Sequence, residues 1–266
     1  MNPTCATGQS PLARWAPRMV FLSLVIDVLA IFTVLLPGPL YRTRVYGLDG
    51  AFEMIKYGAY GGILAVLIAI TGLTLVLLTR PRRPKYFIGA VIGVVSGVLA
   101  WGIPYMWLKK IESIPAMHDI STDTVNPPRF QSEVLALRNK AQNSAVYAGT
   151  EIAAQQAKAY PDIQPLVFKL AATTVYAAAL RTVQAMGWKL DSNDPVTGII
   201  EATATTFWFG LKDDVVIRIQ AIGKSTRLDI RSESRAGKSD AGKNAQLIRT
   251  FRAALYKQLG LQSLGQ

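Results

Sequence analysis

The densest chemistry in the chain lies in residues 231–243. Arg231, Arg235, Lys238 and Lys243 stand there among Ser232, Ser234 and Ser239, with Gly237 and Gly242 open to close backbone approach. The segment leads into a predicted helix N-terminus, whose free N–H groups and dipole favour an anion. Guanidinium forks add bidentate recognition of phosphate or carboxylate. Arg231, Ser234, Arg235, Lys238 and Ser239 are therefore a candidate anion site. The same residues support a second reading. Asp119, Asp123, Asp213 and Asp214 can neutralise the arginines and tie the N-terminal arm of the domain to its sheet, as dense Arg, Asp and Ser do in hydrogen-bonded scaffolds.

The remaining reactive side chains are sparse. Asp213 and Asp214 are adjacent, so on a strand their carboxylates point to opposite faces and form no dyad. One Cys and one His exclude a disulfide framework and a Cys/His metal cage. His118 has neither a Cys nor a second His beside it. Cys5 precedes the first apolar run, so it does not fit a lipoprotein cleavage site. No catalytic residue, metal ligand or cofactor is assigned. Phe207-Trp208-Phe209 is an aromatic loop between predicted strands, expected to pack into the core or, if exposed, to touch lipid or a partner. Asp27 falls in the middle of an apolar run, where insertion scales place an Asp at about +2.5 to +3.5 kcal/mol. It reads as a proton or ion relay, or as a protonated carboxyl bonded to a Ser or Thr of a neighbouring helix.

These residues are carried by two kinds of sequence. Of 266 residues, 50% are apolar and only 17% charged, and mean hydropathy is +0.25. An average soluble domain has roughly 25% charged residues. The formal charge is +12, with +6 in residues 1–108 and +6 in the remainder. In the first part the charges flank apolar runs; in the second both signs are mixed. Residues 1–110 read as a membrane domain with spans at about 19–36, 58–79 and 86–108. The first run covers about 27 Å as a helix, close to a hydrocarbon core of about 30 Å. It is longer than a signal-peptide core, and no small-residue cleavage site follows. Four Lys/Arg stand in the 80–85 connection, which places it in the cytoplasm by the positive-inside rule. The N-terminus is then cytoplasmic and residues 111–266 are periplasmic, on a bacterial inner membrane. Trp101, Tyr105 and Trp107 would form the outer aromatic belt. Gly89, Gly93 and Gly97 form a small-residue stripe on the third span, and Gly58, Gly61 and Gly62 do the same on the second, for close helix packing.

Residues 111–266 read as a soluble α+β domain. The prolines at 115, 127 and 128 predict an extended stretch after the last span. Short helices are expected over 131–143 and 151–160, and a longer one from Pro165 through Leu166, Leu170, Val175, Ala178 and Val183 to Gly187. Strands are predicted from Trp188 and over 199–206, 213–222 and 226–233, the last with Leu228 and Ile230 inward and Arg227, Asp229, Arg231 and Glu233 outward. Ser239 or Asp240 would cap a last helix. The order predicts an antiparallel sheet with helices packed on one face.

Several blocks resemble the bacterial and plant family catalogued as domain of unknown function 1499. The most specific is the run Asp229-Ile230-Arg231-Ser232-Glu233-Ser234-Arg235-Ala236-Gly237-Lys238-Ser239-Asp240-Ala241-Gly242-Lys243-Asn244-Ala245. His118-Asp119-Ile120-Ser121-Thr122-Asp123, Tyr160-Pro161-Asp162-Ile163, Gly187-Trp188 and Asp213-Asp214-Val215-Val216-Ile217-Arg218 are similar in the same order. The likeness covers about 110–258 and implies a membrane-associated domain with no assigned reaction. The expectation is an integral membrane protein with a non-enzymatic binding or accessory domain. Its expected partners are membrane lipid, an anionic small molecule or another membrane protein, with no nucleic acid. The alternatives are an enzyme acting on an envelope substrate and a transport component using Asp27.

Overall fold

A computed structural model describes residues 11–79 and 83–261. Cys5 and the first half of the basic 80–85 connection lie outside them. The chain divides into two units, one ending at Lys109 and the other beginning at Lys110.

The first unit is helical: α1 (Pro11–Leu35), α2 (Pro37–Arg42), α3 (Leu48–Leu78) and α4 (Pro84–Glu112). Among the described residues, three helices are long and apolar enough to cross a membrane. Pro37 opens the short α2, a position where its missing N–H costs nothing. The glycine stripes mark helix contacts. A Cβ on Gly62 would lie 2.8 Å from the Gly97 carbonyl oxygen, and one on Gly97 would lie 2.8 Å from that of Gly62. A Cβ on Gly58 would meet Val34 at 2.7 Å. Only a hydrogen side chain lets these backbones approach so closely. Small buried residues, Ala16, Val20, Val76 and Ala90, complete the packing.

The second unit is a sheet with helices: β1 (Asp119–Ser121), α5 (Ser132–Leu137), α6 (Thr150–Ala159), β2 (Leu166–Phe168), α7 (Ala172–Ala185), β3 (Lys189–Asp194), β4 (Ile199–Thr205), β5 (Lys212–Ile222), β6 (Ser225–Ser234) and α8 (Lys243–Gln258). The strands form one antiparallel sheet in the order β1-β6-β5-β4-β3, and β2 also pairs with β6. Alternation sorts the side chains. Ile200, Ala202, Val215, Ile217, Ile219, Leu228 and Ile230 face the apolar core with Val175, Ala179 and Val183 of α7 and Ile248, Phe251 and Leu255 of α8. Trp188 stacks on Phe251 there, with centroids 5.9 Å apart.

Two features differ from the sequence reading. Leu166 does not begin a helix. Leu166 and Phe168 are buried and Val167 is exposed, a period of two, and β2 pairs with Thr226–Leu228. The ladder on β6 outweighs the helical spacing, and α7 starts only at Ala172. The opposite face of the sheet is covered as well. Phe130 and Val134 of the arm, the latter on α5, pack on Val216. The lower edge of that arm, β1, is itself a strand of the sheet.

Candidate functional site

Odd and even residues of β6 have separate fates. Arg227, Asp229, Arg231 and Glu233 lie on the face beneath the arm, and Arg235 continues the row. Arg231, 1% exposed, grips Asp119 with two bonds, Nε to Oδ1 at 2.9 Å and Nη2 to Oδ2 at 2.8 Å. It also donates to Glu233 Oε2 at 3.0 Å and to the carbonyls of Pro128 and Ala145. Its guanidinium lies over the Phe130 ring at 4.9 Å and the Tyr147 ring at 5.5 Å. Arg138, from just past α5, bridges Asp214 at 2.8 Å and Glu233 at 2.7 Å. Arg235 makes a bidentate pair with Asp214 and donates to Thr203 Oγ1. Three arginines thus meet three carboxyl groups. A second group joins Arg218 and Arg227 to Asp123 and Asp229. Burial and the Asp119 charge push the Glu233 carboxyl up to about 8, against the pull of Arg138 and Arg231. The same two causes push the Tyr147 hydroxyl up to about 12.

Ser232 and Ser234 point to the helix face. Ser234 Oγ donates to Asp213 Oδ1 at 2.5 Å, and Asn244 Nδ2 donates to Ser234 Oγ at 3.0 Å. Asn244 also donates to the His118 carbonyl and accepts from Ser232 Oγ at 2.6 Å. A directed chain, Ser232 to Asn244 to Ser234 to Asp213, so ends on one carboxyl. That carboxyl lines a pocket of about 260 Å³ between α7, the β4–β5 end of the sheet and the start of α8. Asp213 and Lys243 share the pocket with Met186, Trp188, Thr205 and Leu247. Burial pushes Asp213 up to about 6, so it exchanges a proton near neutrality.

The anion-site residues expected from sequence are therefore dispersed. Arg231 and Arg235 lie under the arm, bonded to carboxylates. Ser234 lies on the other face, bonded to Asp213. Lys238 is exposed in the turn, and Ser239 Oγ accepts from the Ala241 N–H at 3.3 Å. The start of α8 already holds an anion: Asp240 accepts from the N–H groups of Gly242 and Asn244, both at 2.7 Å. Asp119, Asp123 and Asp214 each hold arginine, whereas Asp213 holds Ser234. Arg138, Phe130 and Tyr147 were not singled out by sequence, because nothing local marks an arm residue as a lid. Asn244 and Trp188 carried a signal, since both fall in the blocks that resemble the family.

Residues 119–255 match the family described as Protein of unknown function (DUF1499). The chain belongs to the DUF1499 family. The match begins at the first residue of β1 and ends within α8, so it takes in both the ionic cluster and the Asp213 pocket. Among curated proteins, none matches the chain. The DUF1499 unit has no preassembled metal centre among the described residues, where no three His, Cys, Asp or Glu side chains are grouped to hold an ion. Chemically, the ionic face can stiffen the unit. The pocket can take a ligand that offers a donor to Asp213 and an acceptor to Lys243.

Proposed function

We propose that this DUF1499 protein is an integral inner-membrane protein whose C-terminal unit is a periplasmic, non-enzymatic binding module. The Asp213–Lys243 pocket is its recognition site. The reading is carried by one observation: an acid and an amine line the same 260 Å³ pocket, beside an apolar wall of Met186, Trp188 and Leu247. That pattern fits a headgroup bearing both phosphate and amine, with Lys243 on the phosphate and Asp213 on the amine. Three helices fit to span a bilayer support membrane residence, and the density of Lys/Arg at 80–85 supports the orientation.

The test is titration of the full chain in detergent with short-chain phosphatidylethanolamine and phosphatidylglycerol, read by Trp188 fluorescence. Saturable binding of the first, weakened at least about tenfold by Asp213→Asn and by Lys243→Ala, is expected. Equal binding of both lipids, or of neither, overturns the ligand class. For orientation, a C-terminal reporter active only in the periplasm should be active. A second reading, an enzyme on an envelope substrate, is favoured by the proton that Asp213 exchanges near neutrality. Chemical change of the bound lipid on prolonged incubation would establish it.

A further inference from the structure

We propose that Asp27 is a proton-binding site inside the membrane unit, taking up and releasing one proton as the carboxylate becomes the carboxylic acid and back. Its side chain is only 2% exposed, and neither carboxyl oxygen has a hydrogen-bond partner. Both oxygens face the glycine stripe of α4. A Cβ built on Gly93 would lie 3.4 Å from Oδ2, and one on Gly97 would lie 3.0 Å from Oδ1. The neighbouring hydroxyls give their own protons to backbone carbonyls. Ser23 donates to the Val20 carbonyl at 2.9 Å, and Ser96 donates to that of Ile92 at 2.8 Å, each within its own helix. Ser96 of α4 is the hydroxyl that faces the carboxyl across the helix contact, while its own proton goes to the Ile92 carbonyl.

Size then selects the ligand. Even a methyl group on Gly97 would meet Val66 at 2.7 Å and the Gly62 carbonyl at 2.8 Å. A metal ion with its oxygen ligands, or the side chain of a partner helix, needs more room than that. A proton needs none. The facing stretches 58–79 and 86–108 contain no Asp, Glu, Lys, Arg or His, so no other charged group competes for it or compensates it. Ionisable residues turned into a bundle interior are the usual stations of proton movement.

The experiment is infrared difference spectroscopy of the full chain in lipid vesicles, wild type minus Asp27→Asn. Subtraction removes the contributions of Asp213 and Glu233. The expected result is one carboxylic-acid carbonyl band that is lost in the variant, kept in Asp27→Glu, and shifted to lower frequency within minutes of transfer to D2O. Absence of the band at any pH at which the chain stays inserted overturns the proposal. So does a band that fails to shift in D2O over hours, because that proton is locked and structural. Resistance of both variants to alkaline extraction from the vesicles confirms that insertion, and not misfolding, is being compared.

Discussion

Removing the Arg231 side chain beyond Cβ strips the arm of its central anchor. Among the described residues, Asp119 loses both bonds to its guanidinium partner, and Glu233 keeps Arg138 alone. The site is 1% exposed, so water cannot replace what is lost. Breaking a buried pair by removing one partner costs about 3–5 kcal/mol. For a unit of this size each kcal/mol moves Tm by roughly 2–4 °C. Arg231→Ala should therefore lower the Tm of the C-terminal unit by ~6–20 °C. The readout is Trp188 emission on heating the full chain in detergent, with Trp15, Trp101, Trp107 and Trp208 replaced by Phe. Charge balance gives the control. In Arg231→Met with Asp119→Leu, two arginines and two carboxylates remain in the cluster, and at least half of the loss should return. A Tm within about 2 °C of wild type for Arg231→Ala would refute the reasoning, since the arm would then be held by something other than the ions beneath it.

Asp213 gives a pH signature. Its folded value of about 6 lies above the ordinary 3.8, so the folded state binds the proton more tightly. Its stabilising contribution is complete below about pH 4 and is lost as pH rises through 6. At 1.36 kcal/mol per pH unit the loss is about 3 kcal/mol. Asp213→Asn should flatten the Tm-against-pH curve over pH 4–6 relative to wild type; parallel curves would show that Asp213 is not buried as described. Gly198 has φ +73°, and a Cβ there would lie 2.1 Å from the Ile219 carbonyl oxygen. Gly198→Ala should cost more than the roughly 1–3 kcal/mol of such a backbone alone, measured by urea unfolding. Gly97→Leu should prevent α3 and α4 from closing, seen as lost protection of 58–100 in hydrogen exchange.

Local pattern carried much of this architecture. The three apolar runs, and the strands at 199–205, 212–222 and 225–234, show in the residues because burial imposes a period that adjacent side chains cannot hide. The inward and outward rows of β6 were legible for the same reason. What failed to show was non-local. Leu166–Phe168 has helical neighbours in sequence, and only the ladder with Thr226–Leu228 makes it a strand. The lid over the ionic face depends on Arg138 reaching residues 76 and 95 positions away. The basic run at 231–243 suggested one site, but the two-residue period of a strand splits it across a sheet. Ser234 then bonds to Asp213 and Lys243 lines the pocket on the helix face, while the run's arginines join the cluster.

The position of β6 in the chain has a kinetic consequence. It pairs with β1, β2 and β5, yet it is the last strand to be synthesised. Until residues 225–234 emerge, β1 and β2 have no edge to join, and Asp119 and Arg138 have no counter-charges from that strand. The arm must stay unpaired through most of translation. A nascent chain stalled before position 225 would be left open, and a ready substrate for proteases.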